Sequence, residues 1–217
     1  MIKLVSIDVD DTLFMTEDVT FAIENAVAAE LGFPPQARET HLRTFGIPMR
    51  EVIPMRFPGI EVDAFHSLMK VRMKEYIARG HLDALTPQNL VTLEKIKKLG
   101  KRIAILTSRD RGEVEHLIDP AHVLAGFVEG FYHRDNTDYL KPDPRVFGPI
   151  LKRFNVSPQE AVYIGDTPND GKCAKGAGMQ FIALLESGLK TKADFADVEV
   201  DYFAHSFPDI LTYVESN

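Results

Sequence analysis

The chain has 217 residues, 45% of them hydrophobic and 26% charged, which are the proportions of a folded globular protein with one large domain or a core and a smaller domain. Its 32 acidic and 25 basic residues give a net charge of −7, which repels nucleic acids and anionic membrane surfaces. A single cysteine excludes an internal disulfide, and no stretch approaches the roughly 18 apolar residues that span a bilayer, so we expect a cytoplasmic protein without nucleic-acid or membrane partners.

Four short apolar segments, each ending abruptly at polar residues, have the composition of buried β-strands. They are residues 2–7, 102–106, 161–164 and 180–184. Helical patterns lie between these segments at residues 87–99, 144–154 and 169–177. Strands that alternate with helices predict an α/β fold with a parallel sheet covered on both faces. Such sheets bind ligands beyond the carboxyl ends of their strands, where the polar residues of this chain lie.

The long interval after the first predicted strand does not follow this alternation. Its helical patterns cover residues 19–31, 36–45 and 62–79, and prolines separate them. We therefore predict a core of residues 1–14 and 82–217 that carries an inserted, small α-helical cap, residues 15–81. Acidic and basic residues nearly balance in this cap, so it is not a basic clamp for a polyanion.

Two carboxylates follow the first predicted strand directly. Asp8 and Asp10 stand two residues apart where the backbone leaves the sheet, so both can point toward one site. A nucleophile and a proton donor need that arrangement. On its own the pair is equally compatible with an acidic turn or an adventitious metal site.

Three further polar segments lie at the ends of predicted strands or the starts of predicted helices. Thr107 offers a hydroxyl and backbone amides to a phosphate oxygen, although such residues often only cap a helix. Lys141 lies in a loop stiffened by two prolines, where a solvated surface lysine is the alternative. Asp166 and Asp170 lie four residues apart at a helix start, which is typical of a site for a hard metal ion.

These segments would bring several acids to one edge of the sheet. The acids are Asp8, Asp10, Asp11, Asp166 and Asp170. Their combined charge would repel an anionic substrate unless a divalent cation offsets it. Because oxygen ligands suit Mg²⁺, the sequence predicts Mg²⁺ as the cofactor, with Lys141 as a further positive charge.

Four segments resemble, in order and approximate spacing, the four motifs of haloacid-dehalogenase-like hydrolases. They are DVDDT at residues 8–12, the strand ending at Thr107, KPDP at residues 141–144 and GDTPND at residues 165–170. The helical insertion resembles the cap of the phosphoglycolate-phosphatase-like subgroup, so the resemblance covers essentially the whole chain. It implies a Rossmann-like core with a cap and a Mg²⁺-dependent phosphatase acting on a small phosphomonoester, such as phosphoglycolate or a sugar phosphate.

The resemblance also implies roles for the acids. Asp8 would be the nucleophile that takes up the phosphoryl group, and Asp10 would protonate the leaving oxygen and then activate water. The Asp8 side chain, the Asp10 carbonyl and Asp166 would hold Mg²⁺, with help from Asp170. The dehalogenases of the superfamily lack an acid at the position of Asp10, so carbon–halogen cleavage is disfavoured.

The resemblance places Thr107 and Lys141 against the phosphoryl group, with Asp11 and Ser108 beside them. Asp11 stands where the family usually has glycine, and Ser108 where asparagine is frequent; we expect neither departure to abolish activity. In the cap, residues 46–50 resemble a turn that faces the substrate, which makes Arg50 a candidate contact. We also expect the cap to close over the core, with hinges near residues 14–18 and 80–85.

Other functions use similar residues. A phosphomutase of the β-phosphoglucomutase type shares these motifs and the cap, but passes the phosphoryl group to a sugar hydroxyl. A receiver domain of a response regulator uses an Asp, a hydroxyl and a Lys beside Mg²⁺, yet lacks the cap and the GDTPND acids. A binding protein with a relic site is a further alternative, although all the expected catalytic groups are present. The sequence carries no indication of an oligomeric state.

Overall fold

The computed structural model describes residues 1–45, 47 and 49–217. Contacts within the chain divide it into two compact units. The core unit consists of Met1–Phe14 and Leu85–Asn217, and the cap unit consists of Met15–Ala84. The sequence places the first boundary at the same position, and the second one between residues 81 and 82, slightly earlier than the contacts do.

The core unit contains a six-stranded parallel sheet. Its strands are β1 (Leu4–Ile7), β2 (Arg102–Leu106), β3 (Val128–Tyr132), β4 (Ala161–Gly165), β5 (Gln180–Leu184) and β6 (Tyr202–Ala204). They are arranged β3-β2-β1-β4-β5-β6, so β1 lies between β2 and β4. The register places Ile7 of β1 beside Ile105 of β2 and Ile164 of β4. The predicted α/β fold with a parallel sheet is confirmed.

The sequence predicts only four of these strands and misses β3 and β6. Both are edge strands with partly exposed residues, so neither has the continuous apolar run of a buried strand. β3 also contains Gly130, where an added Cβ would lie 2.9 Å from the ring of Tyr132 and 3.1 Å from that of Phe154. These rings pack directly against the backbone of residue 130, which explains why a glycine stands there. The same glycine weakens the strand pattern of the sequence.

Helices cover the sheet and form most of the cap unit. In chain order they are α1 (Glu17–Glu30), α2 (Arg38–Thr44), α3 (Met49–Arg56), α4 (Val62–Ala78), α5 (Pro87–Lys98), α6 (Arg111–Val114), α7 (Phe147–Phe154), α8 (Pro168–Gly176) and α9 (Ile210–Ser216). Helix α5 begins where the Thr86 side chain accepts a hydrogen bond from the Asn89 amide, and it is followed by Gly100 with a φ of 71°. Within the described ranges, no helix combines the length and hydrophobicity that crossing a bilayer requires.

Alternate residues of the strands pack on opposite faces of the sheet, as a pleated strand requires. Val5 and Ile164 belong to a buried cluster that includes residues of α5 and α9. Leu4 and Tyr163 belong to a second cluster, with residues of α7 and α8. The strands are therefore buried on both faces and hold their carboxyl ends in fixed positions.

The cap unit packs α1, α3 and α4 around its own apolar cluster, which includes Ile23, Ile53 and Phe65. The sequence does not predict α3, because Pro54 lies inside this helix and interrupts its pattern. The cap interior also contains charge: both carboxylate oxygens of Glu24 accept from Nη1 of Arg56, at 2.7 and 2.6 Å. Both side chains are only 3% exposed, so this ion pair is part of the cap interior.

Candidate active site

Three neighbouring strands of the sheet end at residues that the sequence singles out. Asp8 follows β1, Thr107 follows β2 and Asp166 follows β4. The Asp8 amide donates to the carbonyl of Ile164 at 2.9 Å, and the Thr107 amide donates to that of Tyr132 at 3.0 Å. Because these strands are parallel neighbours, their ends bring Asp8, Thr107 and Asp166 to one edge of the sheet.

A buried lysine, Lys141, lies at this edge. Its Nζ lies 2.9 Å from Oδ1 of Asp8, 2.7 Å from Oδ1 of Asp170 and 3.0 Å from the hydroxyl of Tyr163. The lysine side chain is only 9% exposed, unlike the solvated surface lysine that the sequence left as an alternative. An ammonium group donates three hydrogen bonds, and these three oxygens account for all of them.

Burial and charge shift the pKa values of this cluster. Burial, with the charges of Asp170 and Asp10, raises the pKa of Asp8 to about 7 against the opposing effect of the Lys141 ammonium. Burial and the nearby carboxylates of Asp170 and Asp8 also raise the pKa of Asp166 well above its usual range. Burial lowers the pKa of Lys141, but the Asp170 and Asp8 carboxylates outweigh it and raise this pKa well above the usual range. The cluster is therefore short of positive charge.

The carboxylates form a group that fits a metal ion. Asp8, Asp166 and Asp170 each offer an oxygen, and these oxygens lie within 4.8 Å of one another. All three residues are buried, and Lys141 bonds two of them, Asp8 and Asp170. A compact set of carboxylate oxygens with unbalanced negative charge suits a hard divalent cation such as Mg²⁺.

Asp170 also has a second set of partners. Its Oδ2 accepts hydrogen bonds from the Thr167 amide at 3.0 Å and from the Thr167 hydroxyl at 2.5 Å. This capping box begins α8, while Oδ1 bonds Lys141. Both oxygens of Asp170 already have protein partners. Asp170, in the first turn of α8, is therefore suited to holding Lys141 in place.

The carboxylate of Asp10 bonds Arg109. Nη2 of Arg109 lies 2.6 Å from Oδ1, and Nε lies 3.0 Å from Oδ2. The Arg109 side chain is 8% exposed, whereas that of Asp10 is 38% exposed. The sequence alone does not predict a role for Arg109. Its position two residues after Thr107, beyond the same strand end, is the signal that could have identified it.

Asp11 is buried, with a φ of 50°, in the left-handed region that favours glycine. This conformation explains why the related hydrolases usually have glycine there, and Asp is among the few other residues that tolerate it. The negative charge of Asp11 contributes to the raised pKa of Asp166. A buried carboxylate repels phosphate, so the predicted phosphate-binding role of Asp11 would have to use its backbone amide.

The remaining predicted residues lie in different environments. Thr107 is 3% exposed and its Oγ1 accepts from the amide of Arg109 at 3.2 Å, whereas Ser108 is exposed. Arg50 lies in the first turn of α3, where its Nη1 bonds Oδ1 of Asp63 at 2.7 Å on the cap surface. Two residues of the turn that the sequence assigned to the substrate, 46 and 48, lie outside the described residues. The roles of Thr107, Ser108 and Arg50 stay predictions.

The sequence matches a protein family over most of its length. The family model for haloacid dehalogenase-like hydrolases matches residues 5–184, which include every strand-end residue of the site. The chain belongs to the haloacid dehalogenase-like hydrolase family. The resemblance that the four motifs suggested is confirmed.

Characterised relatives of this hydrolase include two phosphatases. A phosphorylated carbohydrates phosphatase from Thermotoga maritima is 28% identical over 199 residues, covering 86% of this chain and 91% of the relative. Phosphoglycolate phosphatase 1 from Pseudomonas aeruginosa is 26% identical over 189 residues, covering 84% of this chain and 69% of the relative. The structure of CbbY from Rhodobacter sphaeroides in complex with phosphate has a TM-score of 0.76 and 26% identity, covering 97% of this chain and 96% of that one.

Tyr163 is a second residue of the hydrolase site that sequence reasoning missed. Its hydroxyl donates to the carbonyl of Leu106 at 3.1 Å, lies 3.4 Å from Oδ1 of Asp170 and accepts from Lys141. In the sequence it is one of several apolar residues of β4, and nothing in the pattern separates a packing tyrosine from one whose hydroxyl reaches the site.

Proposed function

We propose that this hydrolase is a Mg²⁺-dependent phosphatase that cleaves small phosphomonoesters through a phosphorylated Asp8. The observation that carries the proposal is the position of Asp8, at the carboxyl end of the central strand, 2.9 Å from the buried ammonium of Lys141 and beside Asp166. A carboxylate nucleophile, a fixed cation and a second carboxylate are the parts that phosphoryl transfer needs, since it depends mainly on positioning and charge stabilisation.

In the first half of the reaction, a carboxylate oxygen of Asp8 attacks phosphorus. The bond between phosphorus and the ester oxygen breaks, and Asp10 donates a proton to the departing oxygen, which leaves as an alcohol. In the second half, Asp10 takes a proton from water as the water oxygen attacks phosphorus. The bond to Asp8 breaks, inorganic phosphate leaves, and both carboxyl groups return to their starting states.

Two other side chains would hold the transferring group. The Lys141 ammonium and the Thr107 hydroxyl and amide can donate to phosphoryl oxygens. Because Lys141 already donates to three oxygens, a bound phosphoryl group has to replace one of them, while Tyr163 and Asp170 keep the ammonium in place.

The cofactor would be held by the Asp8 and Asp166 carboxylates and the backbone carbonyl of Asp10. When bound, Mg²⁺ supplies the positive charge that shields the phosphate dianion from these acids and polarises its oxygens. Asp8 and Asp166 both have a pKa raised by burial and neighbouring acids, as expected of carboxylates placed for a cation.

The relatives support a small substrate. The names of both phosphatases indicate small phosphorylated substrates, a phosphorylated carbohydrate and phosphoglycolate. We propose the same class for this chain, in the cytoplasm, where its one cysteine, Cys173, can stay buried and reduced. The cap unit would close over the substrate and exclude water, and Arg50 would contact the leaving group once it releases Asp63.

The test is phosphate release from a panel of small esters, including phosphoglycolate, sugar phosphates and nucleoside monophosphates, with Mg²⁺ or with EDTA. We expect release that requires Mg²⁺ and is lost in Asp8→Asn, while Asp197→Asn, which changes an exposed aspartate of the core unit, keeps wild-type activity. Folded wild-type protein that releases phosphate from no ester, yet converts a sugar phosphate into its isomer, would instead identify a phosphomutase.

A further inference from the structure

Asn89 is a buried polar residue that ties helix α5 to a distant part of the chain. It lies in the first turn of α5 and is 4% exposed, and its own amide donates to Oγ1 of Thr86 at 3.1 Å. Its side-chain Nδ2 donates to the backbone carbonyl of Leu13 at 2.9 Å, across 76 positions of the sequence. Because Leu13 is fully buried, solvent does not reach this carbonyl, and the amide of Asn89 satisfies it.

Leu13 belongs to a loop that carries two acids of the site, Asp10 and Asp11. The amides of Leu13 and Phe14 both donate to the carbonyl of Val9 at 3.1 Å, and Asp10 forms a parallel β-bridge with Phe14. These bonds fold the segment into one compact loop. A shift at Leu13 is therefore passed on to Asp10, three positions earlier in the chain.

The same loop ends where the chain leaves the core unit. Phe14 is the last residue of the first core segment, and the second segment begins at Leu85, shortly before Asn89. Leu13 and Phe14 also share a buried apolar cluster with Leu93 of α5. Apolar packing keeps the loop and the helix together without fixing a direction, whereas a hydrogen bond requires a particular distance and angle.

We propose that Asn89 is a positioning residue that holds this loop, and with it Asp10, in the geometry that the site needs. Asn89 is buried, so it acts through the carbonyl of Leu13. The inference rests on the proposed function, because the position of Asp10 matters for turnover only if Asp10 takes part in the reaction. The order of the loop is independent of that function and can be measured by itself.

Asn89→Leu tests the hydrogen bond, because leucine keeps the approximate shape of the side chain and has no donor. The Leu13 carbonyl would stay buried without this partner. We expect the loop to open more often, so that the amides of Leu13 and Phe14 exchange with solvent about tenfold faster than in the wild type. Amides of α7, which packs in the other cluster of the core unit, should change less and serve as the internal reference.

Turnover and metal binding are the other two measurements. At saturating Mg²⁺ we expect folded Asn89→Leu to have a kcat about tenfold lower with KM nearly unchanged, because Asp10 acts in both halves of the proposed reaction. The dissociation constant for Mg²⁺, measured by calorimetry without substrate, should rise about tenfold, because the loop also carries the proposed carbonyl ligand of Asp10.

Thr92→Val is the matched control. Thr92 is a buried polar residue of the same helix, but its hydroxyl donates to the carbonyl of Gln88 at 2.8 Å, within α5. We expect this variant to keep wild-type exchange at Leu13 and Phe14, wild-type kcat and wild-type Mg²⁺ affinity, even where it lowers overall stability. Equal changes in both variants, or an Asn89→Leu protein that loses stability alone, would overturn the proposal.

The three measurements separate this inference from the proposed function. A slow Asn89→Leu with unchanged exchange in the loop would contradict the route through Leu13. Faster exchange with unchanged kcat would show that Asn89 orders the loop without positioning a group that the reaction uses. Wild-type protein that releases phosphate from no ester would count against the proposed function, and the exchange of Leu13 and Phe14 would still decide whether Asn89 holds the loop.

Discussion

The ammonium of Lys141 can donate three hydrogen bonds, and it has three oxygen partners. Tyr163 is the uncharged one among them. The tyrosine hydroxyl donates a hydrogen bond to the carbonyl of Leu106, so it links the lysine to the backbone of β2. Two acids and one neutral hydroxyl therefore fix the ammonium. A metal ion or a phosphate would compete with the contacts between the ammonium and the acids. Neither would compete with the contact between the ammonium and the hydroxyl.

We expect Tyr163→Phe to lower stability by about 1 kcal/mol and kcat by roughly fivefold, the equivalent of one hydrogen bond. Denaturant unfolding and steady-state kinetics measure the two effects. The matched control is Tyr132→Phe, because within the described part of the chain the buried Tyr132 hydroxyl has no hydrogen-bond partner. If both variants lost equal activity, the hydroxyl of Tyr163 would have no special role at Lys141.

The pKa of Asp8 makes the stability of the metal-free protein depend on pH. The folded protein binds this proton up to a pH of about 7, whereas the unfolded chain releases it near its ordinary value, so folding takes up a proton between those values. We therefore expect the free energy of unfolding in EDTA to fall by on the order of 4 kcal/mol from pH 4 to pH 8 because of this group.

Urea unfolding of wild type and Asp8→Asn across this pH range tests the prediction. The variant cannot ionise at residue 8, so its stability should fall less steeply with pH, and adding Mg²⁺ should stabilise the wild type more than the variant at pH 8. Identical pH profiles for the two proteins in EDTA would show that Asp8 ionises as readily in the folded chain as in the unfolded one.

The cap helices bury several ionisable side chains. Arg56 of α3 pairs with Glu24 of α1, and His41 of α2 lies 3.1 Å from the same carboxylate. These contacts join three helices whose sequence patterns differ in clarity. α1 and α2 are predicted from their spacing, whereas α3 is not, because a proline inside a helix is a signal against one.

We expect Arg56→Met to destabilise the cap by about 3 kcal/mol, because it leaves Glu24 buried without its cation. Arg72→Met in α4 is the matched control, since Arg72 pairs with Glu30 and Glu75 near the surface and should cost less than about 1 kcal/mol. Hydrogen exchange of amides in α1, compared with those in α5, measures the loss within the cap unit. Equal effects of the two substitutions would mean that burial adds nothing to the Glu24 pair.

The sequence predicts most of the features that produce a periodic hydrophobic pattern or an abrupt change from apolar to polar residues. The four central strands, the residues that end β1, β2 and β4, and the inserted helical segment all produce such patterns. Arg109 and Tyr163 produce none, because their roles depend on contacts between residues 99 and 22 positions apart in the chain. Such partners are set by how the strands are arranged, and no local propensity encodes them.

Two chain connections join the units, one after Phe14 and one after Ala84. If movement of the cap gates the reaction, joining one cysteine introduced on the surface of each unit with a flexible thiol cross-linker should slow turnover, and cleaving the linker should restore it. Cys173 will not interfere, because burial raises its pKa to about 12 and keeps it unreactive. Unchanged turnover in the cross-linked protein would rule out gating.

The proposed reaction depends on Asp8 carrying the phosphoryl group. The most direct test mixes the Mg²⁺-loaded enzyme with a radiolabelled phosphate ester, quenches in acid within milliseconds and sequences the labelled peptide. We expect an acyl phosphate on Asp8 that forms before free phosphate appears and is absent in Asp8→Asn. Release of phosphate by the wild type with no label on Asp8, or with the label on another residue, would contradict it.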